Sequence, residues 1–274
     1  MADADTLSIA ELDALLRFHV DAGADEVLAD APVDRFAAPA QKVSAIPRAT
    51  QPAQSQARAQ TPPVAQKPVV IPDGSVIDEA RRIAQATGDL DALKSAIASF
   101  DGCNLKNTAR NLAFEGGTRG AHIMLVGGAA SRDDDATGVP FSGLDGILLK
   151  NMLSAIGIDA GTQTYHGLCV PWAPPGGGPP TPLHLNIMRS FLERQIELAK
   201  PDVLIVMGNV AARHLLDQKQ TVLKLRGQWF DATIGGWNGA TTVMHEPSYL
   251  REQPAAKRAT WLDLLALKNR LTQG

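Results

Sequence analysis

The chain has 274 residues and a formal net charge of −3, with 45% hydrophobic residues, which is enough for one sizeable domain and an appendage. This balance excludes a polycation whose charge alone would demand nucleic acid. No apolar run reaches the length of a membrane span, so we expect no membrane association. The two cysteines, Cys103 and Cys169, lack metal or disulfide spacing, and the acidic N-terminus does not resemble a secretory signal. We therefore expect a cytoplasmic protein.

An N-terminal helix and a linker are predicted ahead of the main domain. Residues 1–30 contain SIAELDALLRFHVDAG, in which Ser8 and Glu11 form a capping box before an apolar stripe. Such a stripe must be buried somewhere, so we expect this helix to dock on the main domain or on a protein partner. Residues 31–72 are rich in Ala, Pro and Gln and are predicted to be a disordered linker, which leaves 73–274 as the main domain.

Strands and helices alternate beyond residue 72. Four apolar stretches predict strands: AHIMLVGG, TQTYHGLCV, DVLIVMG and TTVMH. Helical stretches precede the first strand and follow each of the four. Continuous apolar strands are typical of a parallel sheet that is covered on both faces. We therefore predict an α/β fold, a three-layer α/β/α sandwich around a central, mostly parallel four-stranded sheet.

Three unusual segments follow the predicted strands, at the sheet edge where such folds bind ligands: 127–143, 169–182 and 245–254. The first reads GGAASRDDDATGVPFSG and matches neither phosphate-binding glycine pattern, which argues against a nucleotide site. Its glycines would let a ligand approach the backbone closely. From the pattern alone, the three aspartates at 133–135 are open to three interpretations: a solvated turn, a catalytic carboxylate or a metal site.

The other two segments also have structural alternatives. Pro174 and Pro175 precede three glycines and indicate either a mobile surface loop or a semi-rigid rim over a site. His245 comes just after a strand, where it could donate a hydrogen bond to developing negative charge or simply bond to backbone. The residues that follow have two interpretations each. Tyr249 and Leu250 belong either to the core or to an exposed apolar wedge, and Arg251 either lies on a solvated helix face or contacts phosphate.

The order of these segments resembles the uracil-DNA glycosylase superfamily, and most of all its family 4, which usually carries an iron–sulfur cluster. That pattern runs approximately VGEAPG-x-x-E-D-x-x-G-x-PF-x-G, then Y-x-T-N near RPP-x-NR-x-PT, then LG-x-x-A and HP-[SA]-YLLR-x-P. The matching stretches here are VGGAASRDDDATGVPFSG, YHGLCVPWAPPGGGPPTP, MGNVAARHLL and HEPSYLREQP. The resemblance covers about residues 100–272.

The resemblance implies a DNA repair enzyme that flips uracil out of DNA and hydrolyses its N-glycosidic bond, leaving an abasic site. Asp133 or Asp134 would be the catalytic carboxylate, and His245 a hydrogen-bond donor to the departing base. Phe141 would stack on the base within a uracil-binding set of Gly127, Gly128, Ala129, Phe141, Leu168 and Glu246. The expected DNA contacts are Arg132, Pro174, Pro175, Ser248, Tyr249, Leu250 and Arg251.

Departures from the family pattern fall in the motifs themselves. Gly128 stands where the first motif has glutamate, and Leu168 where an asparagine reads the uracil edge. Glu246 takes the position of the motif histidine when PSYL is held in register, which leaves His245 one residue early. Cluster ligands are missing as well, with Trp172 at one of their positions. A four-iron cluster needs four thiolates, so we predict no iron–sulfur cluster and no metal.

We therefore expect a monofunctional, metal-independent uracil-DNA glycosylase that is a monomer and acts on single- or double-stranded DNA. Two alternatives stay open. One is an inactive paralogue that binds DNA or a protein partner, since the motif glutamate, asparagine and aligned histidine are lost. The other is a glycosylase for a different damaged base, because Leu168 removes the expected reader of the base edge.

Overall fold

A six-stranded mixed sheet forms the middle layer of the computed structural model, which describes residues 73–217 and 219–273. The helix predicted over 1–30 and the linker predicted over 31–72 lie outside these residues. The strand order is β1-β3-β2-β4-β6-β5. The strands are β1 Gly116–Gly117, β2 Ile123–Ala129, β3 Thr164–Val170, β4 Val203–Met207, β5 Trp229–Ile234 and β6 Trp237–Met244.

The four predicted strands are the four central ones, β3, β2, β4 and β6, and all of them pair in parallel. The predicted mostly parallel sheet is thus confirmed, with one antiparallel strand added at each edge. The sequence gives little sign of these additions. β1 is only two glycines long, and β5 is half-exposed and pairs with β6 as a hairpin closed by Gly235 and Gly236.

Nine α-helices surround the sheet within the described ranges: α1 Asp73–Ala86, α2 Leu90–Ser99, α3 Arg132–Thr137, α4 Gly143–Ser154, α5 Pro182–Ala199, α6 Gly208–Leu215, α7 Val222–Leu225, α8 Pro247–Glu252 and α9 Lys257–Gln273. Side-chain caps fix several starts. The Thr181 hydroxyl, for example, accepts the His184 N–H ahead of α5. Six of these helices were predicted, whereas α3, α7 and α8 are short elements within predicted loops. None of the described helices is long and apolar enough to cross a membrane.

Side chains alternate across the central strands, so the sheet has two buried faces. One face packs against α1, α2, α5 and α6 through residues such as Met124, Val126, Leu204, Val206 and Val243. The other packs against α4 and α9 through Ile123, Leu125, Val203, Ile205 and Met244. Helices on both faces of one sheet confirm the predicted three-layer α/β/α sandwich.

The strand ends are staggered at the carboxyl edge of the sheet. Pairing of β2 with β4 stops at Val126–Val206, whereas pairing of β2 with β3 continues to Ala129–Val170. The last residues of β2, Gly127–Ala129, therefore extend beyond its pairing with β4. We call this segment the β2 ledge, and the three unusual segments of the sequence all leave the sheet around it.

Candidate active site at the carboxyl edge of the sheet

Gly127 forms the floor of a narrow apolar site on the β2 ledge. The parallel register pairs it with Leu168 of β3, so both residues face the same side of the sheet. A methyl group added to Gly127 would lie 2.9 Å from both Leu168 Cδ2 and Phe141 Cζ. Only a glycine lets the side chains of Leu168 and Phe141 approach the strand this closely.

Phe141 forms the aromatic wall of this site and has a strained backbone. Its φ is 56°, in the left-handed region that bulky residues rarely adopt. Holding a residue there costs about 1–3 kcal/mol, and such strain clusters at ligand sites. The ring is partly exposed and packs edge-on against His166, with centroids 5.6 Å apart and planes at 89°. The surrounding fold therefore keeps this aromatic ring beside Gly127.

His166 supports Phe141 as a neutral imidazole. Its Nε2 lies 2.7 Å from the Thr164 hydroxyl, which itself donates to the Ala160 carbonyl at 2.7 Å. The hydroxyl proton is thereby used, so Nε2 carries the imidazole proton and Nδ1 is the acceptor. Burial lowers the pKa of His166 to about 4. Sequence reasoning assigned His166 only a structural role, although its spacing of two from Leu168 places both on one face.

Asp134 caps helix α3 and orders the loop that carries Phe141. Its Oδ2 accepts the Ser131 N–H at 2.8 Å, while the Ser131 hydroxyl accepts the Asp134 N–H at 3.2 Å. Its Oδ1 accepts the Ser142 N–H at 2.6 Å, directly after Phe141. Burial raises the pKa of Asp134 against these hydrogen bonds. Both oxygens are therefore engaged with backbone, in contrast to the free catalytic carboxylate expected from the sequence.

The other two aspartates of the run differ from Asp134. Asp135 accepts the backbone N–H groups of Arg110 at 2.8 Å and Asn111 at 3.3 Å, which ties α3 to the preceding segment. Asp133 is exposed and lies near Arg251. The pKa of Arg251 is raised mainly by Asp145 and to a smaller extent by Asp133. Of the three aspartates, Asp133 is thus a carboxylate at the rim, whereas Asp134 and Asp135 stabilise the loop.

Glu246 lies across the end of β4. A methyl group built on Gly208 would lie 2.5 Å from Glu246 Oε2 and 2.8 Å from its Cδ, and Gly208 has φ +87°. The backbone conformation favours glycine at this position. Because β4 ends one residue earlier, the Glu246 carboxyl group lies at the carboxyl edge of the sheet. Sequence reasoning missed Gly208, which lies in a stretch without periodic signal.

His245 points elsewhere. Its ring stacks on Tyr249, with centroids 4.7 Å apart and planes at 20°, and is buried. Burial, then the charge of Arg226, lowers the pKa of His245. Its Nε2 is enclosed without a hydrogen-bond partner. The stack therefore engages His245 and Tyr249, two residues expected to meet the base or the DNA, with each other.

The residues expected to contact DNA are split between surface and core. Leu250 is only 1% exposed, so it offers almost no surface to DNA. Arg251 is exposed and pairs with Asp145 of α4 at 2.8 Å, a contact that no sequence pattern indicates. Pro174 is buried, whereas the exposed or partly exposed members are Arg132, Pro175, Ser248 and Tyr249.

Gly128 faces the opposite side of the β2 ledge from Gly127. A methyl group added there would lie 3.2 Å from Val210 Cβ on α6. The space in which a longer side chain would begin is therefore partly filled by Val210. Ala129 follows as a half-buried residue paired with Val170.

The residues present do not fit a four-iron cluster. The chain has two cysteines, both buried and free, and burial raises the pKa of each thiol, to about 12 for Cys169. Trp172 is part of the same core as both cysteines. Across residues 73–217 and 219–273, no group of three His, Cys, Asp or Glu side chains is arranged to hold a metal ion. No step of the chemistry below passes through a cluster.

Comparison with known proteins agrees with this geometry. The family model described as the uracil DNA glycosylase superfamily matches residues 114–265. A type-4 uracil-DNA glycosylase of Archaeoglobus fulgidus is 28% identical over 169 residues, covering 60% of this chain and 84% of that protein. The type-4 enzyme of Thermotoga maritima is 30% identical over 164 residues, covering 59% and 82%. That of Pyrobaculum aerophilum is 26% identical over 180 residues, covering 64% and 91%.

Proposed function

Because this chain belongs to the uracil DNA glycosylase superfamily, we propose that it excises uracil from DNA by hydrolysing the N-glycosidic bond. The observation that carries the proposal is Phe141, strained at φ 56° and held beside the bare backbone of Gly127. A flipped pyrimidine needs an aromatic ring to stack on, and the fold holds the partly exposed ring of Phe141 in place against Gly127.

The reaction makes two demands on the protein. Breaking the bond leaves positive charge on the sugar and negative charge on the departing base. Asp133, at the rim, is the carboxylate that we assign to the sugar side, in place of Asp134, which we assign to holding Phe141. The backbone of Gly128 and Ala129, projecting past β4, supplies the surface for the base. These groups meet the demands without a metal, and the chain lacks the thiolates of a cluster.

Contact with DNA is proposed for the outer surface around this site. Arg251 and Arg132 are exposed cations that could reach phosphates, and Pro175 begins a short turn at the rim. Ser248 and Tyr249 lie beside Arg251 on α8. Docking of residues 1–30 on a partner, the monomeric state and cytoplasmic location stay predictions from the sequence.

The experiment is a single-turnover assay on a labelled oligonucleotide with one deoxyuridine, single-stranded or paired with guanine or adenine. Alkali then cleaves abasic sites. We expect cleavage only after alkali, which marks a monofunctional enzyme. Phe141→Ala should lose most of the product, whereas Phe230→Ala, at a partly buried aromatic on the edge strand β5, should not. Absence of product from all three substrates would show that the proposal is wrong.

Leu168 favours one second candidate, excision of a different damaged base. It is 4% exposed and packs with Phe141, Ala113, Ala130 and Ala173, so this wall offers apolar carbon rather than an amide. A base that needs no hydrogen bonds on that edge would be accepted equally well. The same assay with deoxyinosine and other damaged bases in place of deoxyuridine distinguishes the two activities.

A further inference from the structure

The carboxyl group of Glu246 is free of internal partners. None of the hydrogen bonds within the described residues involves its oxygens, and it does not cap α8 although it precedes that helix. Its oxygens are also absent from the enclosed polar atoms that lack a partner, which in the described ranges are His214 Nε2 and His245 Nε2. The carboxyl group is therefore reachable from outside the core, and no described residue forms a hydrogen bond with it.

The surroundings of Glu246 favour its neutral form. Burial is the first cause that raises its pKa, and the like charges of Asp145 on α4 and Glu252 on α8 add to it. The Cys169 thiol of β3 also interacts electrostatically with the Glu246 carboxyl group. This thiol is neutral because burial raises its pKa to about 12. Arg251, the cation on the same helix α8, is paired with Asp145 at 2.8 Å.

We propose that Glu246 is the catalytic acid of this site and donates its carboxyl proton to the departing base. The inference rests on the proposed function and adds the group that completes it. His245, the donor expected from the sequence, is stacked against Tyr249 and has an enclosed Nε2. Glu246 instead presents an unpartnered carboxyl group at the end of β4, where Gly208 gives it room.

The reaction balances as a hydrolysis. The C1′–N1 bond of the deoxyuridine breaks, and its electron pair leaves with the base. The Glu246 carboxyl proton passes to the base oxygen O2, while a water oxygen bonds to C1′. That water releases one proton, which returns to the Glu246 carboxylate through solvent. The products are neutral uracil and an abasic sugar, and no oxidant, metal or further reactant is needed.

The test is the pH dependence of the single-turnover rate on the deoxyuridine oligonucleotide. A required neutral carboxyl predicts a rate that falls as pH rises through the pKa of Glu246. Glu246→Gln keeps the size of the side chain and replaces the O–H donor by an N–H donor, which cannot give up its proton. We expect this variant to lose about 10²-fold in rate and to lose that limb of the pH profile. Glu246→His supplies another acid and should recover part of the rate. The fall in rate with rising pH should then move towards the ordinary pKa of histidine, about 6.5.

Glu252→Gln is the matched control, because it makes the same chemical change on an exposed side chain of α8. Its plateau rate should equal that of the parent. Thermal melting of every variant shows whether it is folded. A folded Glu246→Gln variant with the parent's rate and pH profile would overturn the acid role while leaving the proposed function intact. A parent without any activity on uracil would instead remove the proposed function, and the acid role with it.

Discussion

The Asp134 Oδ1 atom accepts the backbone N–H of Ser142 at 2.6 Å, which holds the chain immediately after the strained Phe141. A carboxylate in an acidic run thereby serves the aromatic wall of the site. Its other oxygen accepts the Ser131 N–H, so one side chain ties the start of α3 to the end of the loop. Asp134 therefore stabilises the loop, whereas Asp133 does not, and alanine variants of the two residues should differ in stability.

Asp134→Ala should lower the free energy of unfolding by about 2 kcal/mol, because it removes two hydrogen bonds from a buried carboxyl and a helix cap. Asp133→Ala, at an exposed neighbour, should leave it within about 0.5 kcal/mol of the parent. Urea unfolding measures both values. The reverse order of destabilisation would contradict the assignment of Asp134 to the loop.

Phe141→Leu should lower the rate of uracil excision by about 5- to 150-fold, the loss expected when one base–aromatic stacking contact worth about 1–3 kcal/mol is removed. Leucine keeps apolar bulk but has no flat face. The oligonucleotide assay gives the rate, and Phe230→Leu on β5 is the control. Equal rates for Phe141→Leu and the parent would show that the ring does not meet the base.

The sequence anticipated the scaffold well because long apolar runs determine a parallel sheet largely by themselves. All four central strands and the two helical layers follow from those runs. Helix α3 has a readable start, since Ser131 and Asp134 have capping-box spacing, yet three adjacent aspartates drew attention to catalysis instead. The direction of Glu246 could not be read, because strand alternation stops at Met244 and the following turn sets the side chains.

Long-range contacts were also out of reach of the sequence. The pair Arg251–Asp145 joins residues 106 positions apart, and neither has a local pattern that indicates the other. The positive φ of Phe141 has the same character, since no local pattern in the sequence indicates it. Such features depend on the assembled fold rather than on any one segment.

Leu168→Asn should favour uracil over other bases, because an amide on this wall can hydrogen-bond the edge of one base and not another. The change buries a polar group at a 4% exposed position and should cost about 1–3 kcal/mol of stability. Rates on deoxyuridine and deoxyinosine oligonucleotides, compared between variant and parent, give the change in preference. An unchanged ratio in a folded variant would place the base edge elsewhere.

His166 should make the fold sensitive to acid. Its pKa is lowered from 6.5 to about 4 by burial, so the unfolded chain binds a proton in that interval and the folded chain does not. Stability is therefore full above pH 6.5 and falls by up to about 3 kcal/mol as pH drops towards 4. Buried Asp134 and Glu246 have raised pKa values and act in the opposite direction, so the comparison must be between variants.

His166→Gln removes this titration and leaves the two carboxyl groups in place. Urea unfolding at pH 7 and pH 4.5 should show a smaller loss on acidification for the variant than for the parent. Parallel losses in the two proteins would mean that His166 takes up its proton over the same pH range in the folded state as in the unfolded chain. That result would contradict a pKa lowered by burial.

Gly128 and Val210 offer a gain-of-function test. Gly128→Glu alone should destabilise by about 1–3 kcal/mol, because Val210 Cβ lies 3.2 Å from the position of the new Cβ. Gly128→Glu with Val210→Ala relieves that contact and adds a carboxylate on the β2 ledge, where it can stabilise positive charge on the sugar. We expect the double variant to excise uracil at least about tenfold faster than the parent, with Val210→Ala alone as the control. A folded double variant no faster than that control would show that residue 128 does not face the reacting sugar.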